Sequence, residues 1–493
     1  MCGYWAESWK SGQEMEVAPL SNVNRTEGPE KGSRMRGLSR REFLRLAGVG
    51  AGVVTLPGFL AACGGEQQQQ GNAPKAKSVK GKLTFWYWAE SDAPGANDWM
   101  DETVEAYKEK KPDLEINVVP QSTDTLISSF QAAASAGQGP DIASQWATGP
   151  VLAQVWQDAV APISDYVPQG EIDQWLNTNE NVYKGKLWAM PYYIIGIATA
   201  YNKEHFDKAG LDPENPPQTW DDFLATCEEL KKSGVTPFSI GNQDGYGGAW
   251  HFSNMELQYL NSLQEWVDAI IGREPFTDEK YTGWYELLND LVQKGYYNES
   301  VNSLTLSQGH SIFSRGDSAM SFGTDGIVRQ WQQDVGQDAV GIMKYPKLAE
   351  GNLADAFNAT QSISYFITSW SKNKEEAAAF LEFMHTPERM QRWYEQTGVG
   401  LADKRFDPSL IKDPLLRELY TWETTGPQVW LENYNPPQID SEANLKAGQL
   451  IFSGSGTPQE AAQLWQSVAQ RWRTQNPDDL KNWQTWHPEV SGT

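Results

Sequence analysis

Cysteine is almost missing from this chain: 493 residues carry only Cys2, Cys63 and Cys227. A disulfide framework is thereby excluded, and a chain of this length must draw its stability from a buried core. Histidine is scarce too, and none of His205, His251, His310, His385 and His487 stands at metal-ligand spacing from another His or a Cys. No HExxH, CxxC, GxSxG or GxxxxGK[ST] occurs, so the usual metal, thiol, hydrolase and nucleotide signatures are absent. Long apolar runs are lacking as well. The uncharged stretch 46–60, largely Ala, Gly, Val and Leu, is broken by Pro57 and falls short of the roughly 20 residues a membrane span needs. Basic residues are outnumbered, 40 Lys and Arg against 64 Asp and Glu for a net charge of −24, which argues against nucleic acid and anionic lipid surfaces as partners.

What precedes and follows Cys63 gives that cysteine a purpose. "SRREFLRL" places Arg40 and Arg41 ahead of the apolar stretch, and small residues then lead to Cys63: the basic, apolar, small-residue order of an export signal. "SRREFL" resembles the twin-arginine signal, and Leu60-Ala61-Ala62-Cys63 resembles a bacterial lipobox. The resemblance implies cleavage before Cys63 and acylation of that residue. At about 0.8 kcal/mol per buried CH₂, several acyl chains would hold the protein on a membrane. Residues 1–34 carry no export feature, so translation starting at Met35 would still supply a complete signal. Removing residues 1–62 leaves 32 basic against 58 acidic residues, a net charge of −26. Residues 63–82, "CGGEQQQQGNAPKAKSVKGK", lack apolar periodicity and read as a flexible, lipidated tether.

From Leu83 the chain alternates strand and helix patterns. "KLTFWYW" reads as a strand, "NDWMDETVEAYKEKKPD" aligns Met100, Val104 and Tyr107 on one helical face, and "LEINVVP" alternates Leu114, Ile116 and Val118. This is a βαβ unit, which predicts a parallel sheet. A further helix is predicted from Thr123 to Gly137. In "TWDDFLATCEELKKSG", Thr219 and Asp222 form a capping pair, and Phe223, Cys227 and Leu230 share one face, making Cys227 a core residue. The fold class is α/β. Aromatics are abundant, with 22 Trp, 19 Tyr and 17 Phe. Most serve packing, but an indole face can also lie on the C–H face of a sugar ring while Asp, Asn and Gln satisfy its hydroxyls.

Five stretches in order, "KLTFWYW", "GQGPDIASQW", "YKGKLWAMPYYIIGIATAYNKEHFDKAGL" with "PPQTWDDF", "FSRGDSAMSFGTDGIV" and "SKNKEEAAAFLEFMHTPE", resemble the signatures of extracellular solute-binding protein family 1. The resemblance covers residues 83 to about 400. It implies the sugar-binding subunit of an ABC importer, related to maltose-binding protein, with no cofactor, metal or catalysis, monomeric and tied by Cys63 to the outer face of the cytoplasmic membrane near its permease. It implies a two-lobed periplasmic-binding-protein fold of type 2, with a hinge and a ligand cleft between the lobes. Lobe one is expected at 83–190 plus 326–370, and lobe two at 191–325 plus 371–493.

Ligands of open α/β sheets gather at the carboxyl ends of strands. That rule nominates Trp88, Glu90 and Asp92 after the first strand, and Gln145 and Trp146 after "DIASQW". Tyr193, beside Pro191 at the crossover, is a cleft ring or a core ring. The resemblance adds Tyr246 and Trp250 in the Gly-rich "GNQDGYGGAWHF". Where many relatives carry a tryptophan near position 326, this chain has Asp325-Gly326, a carboxylate in place of a ring. Trp430 could supply the missing face, and Gln361 and Ser362 are further candidates. Two other readings stay open: a binding protein for a polyamine, metal complex or phosphodiester, or a secreted polysaccharide hydrolase using two carboxylates.

Overall fold

The computed structural model describes residues 81–123 and 125–490. Arg40, Arg41, Cys63 and the tether up to residue 80 lie outside the described residues. In chain order the strands are β1 Gly81–Tyr87, β2 Leu114–Pro120, β3 Ile142–Trp146, β4 Val160–Ala161, β5 Val182–Tyr183, β6 Lys186–Leu187 and β7 Met190–Pro191. After these come β8 Ile194–Gly196, β9 Ala198–Asn202, β10 Thr236–Ser239, β11 Ser318–Gly323, β12 Val340–Met343, β13 Ala359–Gln361 and β14 Ile363–Thr368.

They build two main sheets. The first has the order β2-β1-β3-β14-β4, with β7 also on β14; the second is β10-β11-β9-β12. β1 pairs with β2 and β3 in parallel, as the βαβ reading requires, through the helix Ala96–Lys110, which buries Met100 and Tyr107. The predicted 123–137 helix runs Leu126–Ala136. β11 and β14 are buried along their whole length, the signature of strands covered on both faces. Thr219 caps the helix Trp220–Lys232 by accepting from the Asp222 amide, and Cys227 is 1% exposed in its core. Burial pushes that thiol well up, which makes it a poor nucleophile.

The chain leaves the first sheet through β8 and returns through β13, and these two strands pair with each other antiparallel, Gly196 opposite Ala359. Strand pairing corrects the expected lobe boundaries in two places. β12, placed with the first lobe, pairs with β9 in the second sheet, because the return crossing comes only at β13. The helices Lys374–Met384 and Pro387–Thr397, placed with the second lobe, pack on the first sheet and its helix, Phe380 against Phe85 of β1 and Trp393 against Trp99 of Ala96–Lys110. An apolar face of that size docks where the matching sheet face is, whatever its position in sequence.

Two helices of the second half meet backbone to backbone. A Cβ on Gly448 of Leu445–Phe452 would lie 2.8 Å from the Gly248 Cα of Tyr246–Met255. Gly448→Val is therefore expected to lower stability by about 1–3 kcal/mol through overpacking, read as a lower urea midpoint. An unchanged midpoint would mean the contact is loose.

Candidate functional site

At the carboxyl end of the first sheet the Trp88 indole donates from Nε1 to Thr123 Oγ1 at 3.0 Å and meets the Trp146 ring edge to face, centroids 5.7 Å apart. The Trp88 amide is held by Ser144 Oγ at 3.1 Å. Beside Trp146, Gln145 accepts the Trp146 amide on Oε1, while its buried Nε2 has no partner. Asp92 Oδ2 accepts from the Tyr193 hydroxyl at 3.2 Å and from Ser362 Oγ. Three candidates far apart in sequence thus form one cluster where β8 begins. Tyr193 is buried and stacks on Trp393 at 5.3 Å; burial and the Asp92 charge hold its phenol well above the ordinary range.

Glu90 and Gln361 stand differently. Both Glu90 oxygens accept amides, from Gly95 and Asn97 at 2.9 Å, so this carboxylate caps the following helix and complements its dipole. Gln361 is buried, donating to the Asn177 carbonyl at 2.9 Å and accepting from Ser364 Oγ at 3.0 Å.

On the second sheet, β10 runs out into the loop that starts the helix Tyr246–Met255. Trp250 is 7% exposed and stacks on the His310 imidazole at 5.8 Å and 27°. Tyr246 and Trp430 join the cluster that holds Trp250, and Trp430 Nε1 contacts Glu432 Oε2 at 3.4 Å. Burial, helped by the nearby Asp440 charge, pushes the Glu432 carboxyl up to about 8, and burial raises Asp440 to about 6 against the hydrogen bonds from Asn444 and Asn435.

The turn Leu431–Tyr434 connects the two groups. It packs against the helix Tyr246–Met255 on one side and the helix Gly149–Trp156, which follows Trp146, on the other. A Cβ on Gly149 would lie 2.6 Å from the Asn433 carbonyl. Trp88 and Trp146 thus form one aromatic group at the end of the first sheet, and Trp250 and Trp430 share a second one beside the other sheet.

Asp325 sits apart from them. It opens the helix Asp325–Val335 and pairs with Glu423, near the end of the helix Pro414–Thr424. Sequence reasoning offered no signal for Glu423, which meets Asp325 only through folding, nor for His310, which looks like an ordinary interior residue of a capped helix. Among the described residues no group of three or more His, Cys, Asp or Glu is gathered to hold a metal, and no helix is long and apolar enough to cross a membrane.

Two α/β sheets joined by a short strand pair, with polar and aromatic side chains at the strand ends, is an arrangement for holding a molecule between lobes. The sequence profile of the bacterial extracellular solute-binding proteins matches residues 102–415. The chain belongs to this family. Among similar sequences, the sn-glycerol-3-phosphate-binding periplasmic protein UgpB of Yersinia pestis is 26% identical over 345 residues, covering 64% of this chain and 73% of the relative. Among solved structures, a chitin oligosaccharide binding protein superposes with a TM-score of 0.68 at 21% identity, covering 80% of this chain and 99% of the other. The GacH receptor of Streptomyces glaucescens superposes with a TM-score of 0.63 at 17% identity, covering 80% of this chain and 98% of the other. This solute-binding protein has the two-lobed fold of those receptors.

Proposed function

We propose that this solute-binding protein captures a sugar or oligosaccharide between its lobes and delivers it to the permease of an ABC importer. The observation that supports the reading is that each lobe carries its own aromatic group near its strand ends, Trp88 and Trp146 with Asp92 and Gln145 on the first sheet and Trp250 with Trp430 beside the second. Indole faces suit the C–H faces of a pyranose, and Asp92 and Gln145 suit its hydroxyls. Closure about the β8–β13 pair would bring both sets onto one ligand, and the closed form is favoured because only it makes both sets of contacts. Nothing in the proposal changes the ligand chemically.

The similarity to UgpB raises sn-glycerol 3-phosphate as a competing ligand. Charge after the first strand favours a neutral one: Glu90 and Asp92 are acidic, and Arg329, the basic group beside Asp325, donates to the carbonyls of Thr397 and Gly398. In the same proposal, export through Arg40 and Arg41 and acylation at Cys63 keep the monomer on the outer face of the cytoplasmic membrane.

The test is a thermal-shift screen with maltotriose, chitotriose, xylotriose, galactose and glycerol 3-phosphate. A ligand that binds only the folded state stabilises it by RT ln(1 + [L]/Kd), about 2.7 kcal/mol at 100 Kd. A sugar is expected to raise the melting temperature, and Trp146→Ala or Trp250→Ala to abolish the rise while the unliganded protein stays folded. Full binding in both variants, or a shift with glycerol 3-phosphate alone, would overturn the sugar reading.

A further inference from the structure

Each of the other four histidines has a hydrogen-bond partner. His205 Nε2 meets the Gly316 carbonyl, His251 Nε2 the Tyr297 hydroxyl, His385 both Asp403 and the Pro191 carbonyl, and His487 the Gln264 side chain. His310 is 6% exposed, and its ring has no side-chain hydrogen-bond partner: only the Phe322 carbonyl faces it, which leaves at least one ring nitrogen unpaired. A buried polar atom left unpaired costs about 1–3 kcal/mol, so a fold that keeps one needs a reason. Burial holds this imidazole down at about 3, so it is neutral at physiological pH and offers one donor and one acceptor.

The position of the ring supplies a reason. Its face lies on Trp250, the Trp331 ring stands against it at 88°, and the preceding Gly309 packs on the Gly241 amide just past the end of β10. β10 and β11 run parallel and end together here, and His310 sits with the Phe322 carbonyl at that end. In the first sheet Gln145 Nε2, at the carboxyl end of β3, is likewise buried without a partner.

We infer that His310 is a ligand-binding residue of the second lobe, its ring edge exchanging hydrogen bonds with a sugar hydroxyl while the sugar lies against the neighbouring aromatic wall. Gln145 Nε2 makes the matching contact from the first lobe, so each lobe supplies an indole and an unpaired nitrogen. The selected ligand is a neutral polyol with hydroxyls on both sides of its ring. This inference rests on the sugar reading above.

The test takes whichever of the screened sugars the wild type binds most tightly. His310→Leu is expected to weaken its affinity at least tenfold by titration calorimetry, while the unliganded melting temperature holds or rises because an unpaired polar group is gone. His310→Asn, which keeps a donor and an acceptor, is expected to recover part of the loss. In wild-type protein labelled with ¹⁵N-histidine, the His310 ring nitrogen signals are expected to move on adding that sugar, a readout that needs no variant. Unchanged affinity in His310→Leu, or ring signals that stay put while the sugar binds, would overturn the inference and leave the sugar reading standing. A wild type that binds none of the sugars would remove both.

Discussion

Asp403→Ala is expected to lower the stability of the unliganded protein by about 3–5 kcal/mol, the range for removing one partner from a buried ion pair. The Asp403 side chain is fully buried, and it takes hydrogen bonds from His385 Nδ1 at 2.8 Å and from Arg405 Nε and Nη2 at 2.9 and 2.6 Å. Arg405 reaches on to Glu171, and His385 Nε2 to the Pro191 carbonyl at 3.0 Å. One carboxylate thus joins the 171–175 turn, the end of the helix Lys374–Met384 and the chain just before β8. Burial pushes this carboxyl up, but Arg405 and His385 outweigh burial and hold it down at about 2. A depressed carboxyl stabilises the fold fully above the unfolded value of about 3.9 and loses that contribution as pH falls through about 2. Urea unfolding at pH 7 and pH 3 checks both parts: the variant should lose stability at pH 7 and show a shallower acid decline. Equal midpoints for variant and wild type would mean that the network contributes nothing.

Glu423→Gln is expected to act in the opposite direction and at the opposite end of the pH scale. Burial pushes the Glu423 carboxyl well up, the adjacent Asp325 charge pushes it further, and Asp325 itself is raised by burial to about 6 against the pull of Glu423 and Arg329. Apart from the Gly196 amide, which reaches Glu423, no donor meets the facing oxygens Asp325 Oδ2 and Glu423 Oε1, and one proton shared between the carboxyls would satisfy them. A carboxyl whose pKa is raised on folding contributes its full stability below the unfolded value of about 4.3. That stability drains away as pH climbs toward and through the raised value. Glutamine offers an N–H to Asp325 without taking up a proton. Wild-type stability should therefore decline between pH 6 and pH 9 while the variant stays flat, the gap reaching about 1–3 kcal/mol, the cost of a buried polar group losing its partner. Parallel curves for the two proteins would show that the carboxyls do not share a proton.

The alternation that makes an α/β fold could be read along the chain because it is local. Leu83, Phe85 and Tyr87 are buried on β1 as their spacing requires, and Thr219 caps its helix through a contact three residues away. The lobe boundaries were less legible, since β12 belongs with β9 across more than a hundred intervening residues. Of the candidate site, Trp146 could be named from its place at the end of a strand pattern and Trp250 from its glycine-rich surroundings, although those residues form the helix Tyr246–Met255 and not a loop. Their setting could not: His310 behind Trp250, or Glu423 against Asp325, are pairings between distant segments that no local pattern encodes. Glu90 illustrates the converse, a loop acid whose carboxylate caps the helix after it.

The strand pair β8–β13 has one further consequence. Two ribbons of three residues each form this crossing, so the lobe closure proposed above would twist it more than the broad sheets. The pivot also has almost no clearance: a methyl group on Gly196 would press within 2.5 Å of the Phe357 ring and 2.9 Å of Glu423. A single added carbon at that point would oppose the proposed closure without touching the proposed ligand.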